Sequence, residues 1–199
     1  MIFSVAILAT VVAYTWWLAP VTPRVTAVVA GAVVVALSLA RAVRAHEWGV
    51  ARADFARSLV LTSIFTAAAA AVLVAAGTSR HRWRSPSMTA ADAGLLLLWA
   101  LGQQFALQIT FLREAQAATS RRAGVIVAPI LFAALHLPNP FLTGATLIAA
   151  LAWCAIYDRH PNLIPLTLSH ALLTMVVLSA LDDATTGRLR VGAAYLASR

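Results

Sequence analysis

Seven stretches of this 199-residue chain are apolar, and most are long enough to cross a bilayer. They run over about residues 2–19, 25–43, 57–77, 89–112, 123–137, 140–157 and 163–181. A helix rises about 1.5 Å per residue, so about 20 residues match the roughly 30 Å hydrocarbon core. Composition agrees: 61% of residues are hydrophobic and 11% charged, where soluble chains carry about 25% charge. These features predict an all-α fold, a polytopic helical transmembrane bundle of about seven spans. The whole chain, 1–199, reads as a single integral-membrane domain, with a short polar tail at 182–199.

The net charge of +8 is carried by fifteen arginines, with no lysine. Basic residues beside apolar ends set topology and contact anionic headgroups, so membrane lipids are the expected partners. A nucleic acid partner is not expected, because no basic stripe lies on a soluble surface. Arg80, Arg82 and Arg84 form the densest cluster. In a seven-span arrangement the arginines divide eight to seven between the two sides, which leaves orientation open. Cys154, the single cysteine, sits in an apolar run and reads as a small core residue. Residues 2–19 lack the positive flank of a cleaved signal and read as a retained first span.

Along the chain, Pro20 and Pro23 mark the first junction. Thr89-Ala-Ala-Asp92 has the spacing of a capping box and opens a helix expected over Thr89 to Leu112. Arg113, Glu114, Arg121 and Arg122 are expected in the loop after it, with Glu114 as a surface pair beside Arg113. The fifth segment ends in His136-Leu-Pro-Asn-Pro140, so segments five and six should form a tight helical hairpin.

Chemistry-bearing side chains interrupt three of the apolar runs. Gln104 and Gln108 are four apart and share a helix face, with Gln103 about 100° around from Gln104. Phe132 and His136 have the same spacing, as do His170 and Thr174. A polar group at hydrocarbon depth needs a partner or a cavity. Packing glue worth roughly 0.6–2 kcal/mol accounts for one such group. Two histidines with a glutamine cluster point instead to a shared site. His46, His81 and His160 lie in arginine-bearing loops and read as solvated.

Leu131-Phe132-Ala-Ala-Leu-His136-Leu-Pro-Asn-Pro140, then Leu168-Ser-His170-Ala-Leu-Leu-Thr174, resembles the CPBP (CAAX protease and bacteriocin-processing, Abi) family of intramembrane proteases. That family's pattern is Glu-Glu-x-x-x-Arg, then Phe-x-x-x-His, then His-x-x-x-Asn. The resemblance covers about residues 90–181. Phe132, His136 and His170 match outright, whereas Gln103, Gln104 and Gln108 stand at the Glu, Glu and Arg positions and Thr174 at the Asn position. It implies a catalytic set of His136, His170, Gln103 and Gln104, supported by Gln108, Phe132 and Thr174. It also implies a membrane-associated peptide or protein as substrate or partner, and the bacterial cell membrane as location.

A carboxylate accepts a proton and a neutral amide does not, so the exchange removes a general base worth about 10²–10⁴-fold in rate. Two readings follow: an endopeptidase with His136 as sole base, or a silent relative that binds a peptide in the same cavity. A small transporter or proton relay would use the two histidines alone, but inverted repeats and paired broken helices are missing. No cofactor is expected and no metal, since two histidines fall short of the roughly three protein ligands of catalytic zinc.

Overall fold

The computed structural model describes residues 1–23, 25–79 and 88–197, so Arg80, His81, Arg82 and Arg84 lie outside the described residues. Helix α1 (Ile2–Ala13) ends in a π turn, Tyr14–Leu18. Then come α2 (Val25–Ala45), α3 (Phe55–Ser79) and α4 (Ala90–Phe105), which runs through a π-helical segment (Ala106–Leu112) into α5 (Arg113–Ala118). Helices α6 (Arg121–Ala134), α7 (Pro140–Arg159) and α8 (Leu163–Ala180) complete the bundle. The short α9 (Asp183–Thr186) and α10 (Gly192–Leu196) form the tail.

Five helical stretches are long and apolar enough to cross a membrane: Val25–Ala45, Arg52–Ser79, Ala90–Ala118, Pro140–Arg159 and Leu163–Ala180. About seven spans were expected. The first helix, Ile2–Leu18, is shorter, and α6 has only 14 residues, its two leading arginines included, before the proline-bearing turn. Apolar side chains point outward on these helices, among them Val28 (71% exposed), Leu98 (65%) and Ile148 (67%). An exposed apolar belt of this kind needs lipid around it. The protein is an all-α, integral membrane bundle.

Local chemistry sets the helix boundaries. Thr89 accepts from the Asp92 amide while Asp92 accepts from the Thr89 amide, the reciprocal capping box expected. Asn139 and Asn162 cap α7 and α8. The helix opened by Thr89 does not stop at Leu112, because the π segment continues the backbone ladder to Ala118. Arg113 and Glu114 are therefore helical, and the loop shrinks to Thr119 and Ser120. Glu114 does not pair with Arg113. Its carboxylate accepts from the Phe3 and Ser4 amides and caps α1, where the helix dipole favours negative charge.

Arg113 turns instead to Glu47, at 2.5 Å, and to Gln116. Gln116 donates to Asp158, which also receives Arg121, while His160 meets Asp54 at 3.1 Å. His160 is thus a paired group rather than a merely solvated one. These contacts gather the α2–α3, α5–α6 and α7–α8 junctions at one end of the bundle. The 135–139 turn and the tail occupy the opposite end, with α6 and α7 forming the expected hairpin between them. Cys154 is fully buried in the core.

Candidate functional site

Gln104 lies in the last turn of α4 and Gln108 in the π segment, and both are fully buried. A π segment inserts i→i+5 bonds into an α-helix and is frequent at functional sites. Here all seven of its residues are buried, and the two glutamines stay on one face. Gln108 Nε2 donates to Gln104 Oε1 at 3.2 Å, and Gln104 Nε2 lies 3.4 Å from His170 Nδ1. A run of hydrogen bonds therefore crosses from α4 to α8. The Gln108 side chain also sits against the Cys154 thiol. Its own carboxamide oxygen is buried with no hydrogen-bond partner.

His170 is held from the other side by an aromatic platform. The Trp153 ring stacks on the imidazole with centroids 4.8 Å apart and planes at 27°. Trp153 in turn donates to Ser169 Oγ at 3.0 Å, and Ser169 receives Thr66 of α3 at 2.6 Å. Among the described residues, Thr174 makes no hydrogen bond to the ring itself. Its hydroxyl donates to the His170 carbonyl, one turn back on its own helix, at 2.9 Å.

His136 lies in the turn after α6, where Pro138 and Pro140 prevent helix continuation. Its Nδ1–H donates to the Phe132 carbonyl at 3.0 Å, which leaves Nε2 with the lone pair. The Phe132 ring stands edge-on to the imidazole, 5.4 Å between centroids, and packs edge-on against Phe111 of the π segment. Through Phe132 and Phe111, His136 borders the π segment that carries Gln108.

The turn itself is clamped by the tail. Asn139, fully buried, caps α7 with its oxygen, and its amide donates to the Thr186 and Arg190 carbonyls at 2.8 and 3.0 Å. The Leu137 carbonyl accepts from the Gly192 amide at 2.8 Å.

Gln104, Gln108 and His170 thus join in one hydrogen-bonded set, with Phe132 and His136 beside it. Gln103 does not join. It is half-buried and its side chain bonds to no described residue, as a position about 100° around from Gln104 would be. Trp153, Ser169, Thr66 and Asn139 were missed. Serine beside His170 in an apolar run, and asparagine between two prolines, were the available signals.

Residues 89–176 match the family model described as type II CAAX prenyl endopeptidase Rce1-like. Over that stretch the chain is similar to that family. The expected resemblance holds from the capping Thr89 to the end of the His170 motif, and the first three helices and the tail lie outside it. No curated protein and no solved structure matches the chain. Among the described residues no group of three or more His, Cys, Asp or Glu has the placement of a metal site. The two imidazoles and neutral amides here do not fit a metal, so no step is routed through one.

Proposed function

We propose that this Rce1-like protein is an intramembrane endopeptidase acting on a membrane-associated peptide, in a site without a carboxylate. The observation that carries the reading is the pairing of two differently held imidazoles. His136 gives its Nδ1–H to the Phe132 carbonyl, so Nε2 is the base. His170 receives Gln104 at Nδ1, so its proton sits on Nε2. One ring accepts a proton while the other donates a hydrogen bond.

The step follows from those roles. His136 Nε2 takes a proton from water as the water oxygen bonds to the scissile carbonyl carbon. The carbonyl π pair moves to oxygen, where His170 Nε2–H stabilises the developing charge. As the carbon–nitrogen bond breaks, His136 returns the proton to the departing amine. The fully buried glutamines hold His170 from one side, and the Trp153 stack limits its reorientation from the other.

The test is cleavage of lipidated and transmembrane peptides by the full chain in proteoliposomes. His170→Phe keeps an aromatic ring on Trp153 while removing the Nε2–H donor along with the Nδ1 acceptor of Gln104, so turnover is expected to fall about 10²–10³-fold. Turnover unchanged by that substitution would remove His170 from the mechanism.

A second reading is favoured by one observation, the unpartnered Gln108 oxygen. A buried acceptor without a donor suits a bound peptide N–H, and a silent relative would hold its ligand there. Peptide crosslinking near Gln108 with no cleavage by the unmodified protein would select this reading.

A further inference from the structure

At the end of the bundle opposite the His136 turn lies a cavity of about 360 Å³, bordered by His46, Glu47, Trp48, Gly49, Arg113 and Tyr157. Its hydrogen-bonding groups are unevenly matched. Both oxygens of Glu47 already accept, Oε2 from Arg41 at 2.7 Å and Oε1 from Arg113 at 2.5 Å. Arg113 gives Nε to Glu47 and Nη1 to Gln116, and its Nη2 meets no acceptor among the described residues. The Tyr157 hydroxyl is buried without a hydrogen-bond partner, beneath the Arg113 guanidinium 5.2 Å from its ring centroid. Donors are left over, while each carboxylate oxygen already has one of its own. Such a pocket takes an acceptor.

The floor of the pocket is fixed before any ligand arrives. The Gly49 carbonyl receives the Leu163 amide at 2.8 Å, and the Ala51 amide donates to the Pro161 carbonyl at 3.0 Å. Gly49 adopts φ +70, and a Cβ there would stand 2.8 Å from the Tyr157 oxygen. The Leu163 side chain would lie 2.7 Å from that Cβ, so only glycine fits both the turn and the close packing of Leu163 and Tyr157 there. Trp48, half exposed at the rim, is the kind of side chain that settles at headgroup level.

We infer that this pocket binds an anionic phosphate ester, with Arg113 Nη2 and the Tyr157 hydroxyl donating to the phosphate oxygens. Guanidinium groups suit phosphate because their N–H donors are planar and permanently charged. Basic pockets between membrane helices recognise lipid headgroups through the same contacts. The source is a phospholipid headgroup or a soluble phosphate ester. The inference does not depend on peptide cleavage at the opposite end of the molecule.

Native mass spectrometry of the purified full chain in a neutral detergent separates these sources. The probes are phosphatidylglycerol, phosphatidylcholine and glycerol phosphate. Phosphatidylglycerol retention about tenfold above phosphatidylcholine is expected for the wild type. Tyr157→Phe should remove most of that preference, and Arg122→Gln, at an exposed arginine on the same end, should leave it unchanged. Glycerol phosphate binding that is lost with Tyr157→Phe would assign a soluble ester, and its failure to bind beside retained phosphatidylglycerol would assign the lipid. Equal retention of both lipids without glycerol phosphate binding, or full preference in Tyr157→Phe, would overturn the site.

Discussion

Replacing His136 with alanine is expected to lower peptide cleavage in proteoliposomes by about 10²–10⁴-fold, the range for loss of a general base. The loss should fall on kcat rather than KM, because the imidazole acts on water and not on the bound chain. Burial of the mutated site is slight in consequence for folding. His136 gives a single hydrogen bond, to a carbonyl at the end of its own helix, and that bond is worth about 1 kcal/mol. A stable variant that still cleaves at the wild-type rate would exclude His136 as the base. A variant with lost cleavage but intact peptide crosslinking is the expected result.

Asn139→Ala is expected to carry the largest effect on stability. Its side chain caps α7 and satisfies two carbonyls of the tail, all in a fully buried position. Losing the cap costs about 1 kcal/mol, and each carbonyl left without a donor about 1–3 kcal/mol, so about 3–7 kcal/mol is expected in all. Denaturation in detergent measures the sum. Limited trypsin digestion at Arg188 and Arg190 should quicken as the tail loosens. Asn139→Asp keeps the cap but sets a buried carboxylate oxygen against the two carbonyls, and should be at least as destabilising as alanine. If alanine matched the wild type in both measurements, the tail would not be clamped through this residue.

Much of the architecture was legible because lipid imposes simple rules on sequence. Apolar length located the helices, the Thr89–Asp92 spacing located a helix start, and the prolines around Asn139 located the hairpin. The continuation past Leu112 was not legible. A π segment differs from an α-helix by one residue per turn, and the apolar run Leu107 to Leu112 has the same composition in either. Arg113 and Glu114 therefore looked like loop residues, when each is drawn to a partner far along the chain, Glu47 for one and the α1 amides for the other.

The site was half legible for a related reason. Glutamine and histidine at hydrocarbon depth announce themselves, since burial there demands a partner. Spacing along one helix then separated Gln104 and Gln108 from Gln103 by angle, but not which face would meet α8. The supports of His170 were hidden because tryptophan and serine are ordinary in membrane helices, and their relation to the ring exists only once α3, α7 and α8 pack. Thr174 looked like a support by its spacing. Its hydroxyl found a nearer acceptor in its own helix, as threonine commonly does.

The most direct measurement is histidine-selective nitrogen NMR of the full chain in nanodiscs, with His136 and His170 assigned by single substitution. Neutral rings of opposite tautomer are expected, the proton on Nδ1 in His136 and on Nε2 in His170. A proton on Nε2 of His136, or on Nδ1 of His170, would contradict a site in which one imidazole is the base and the other the donor.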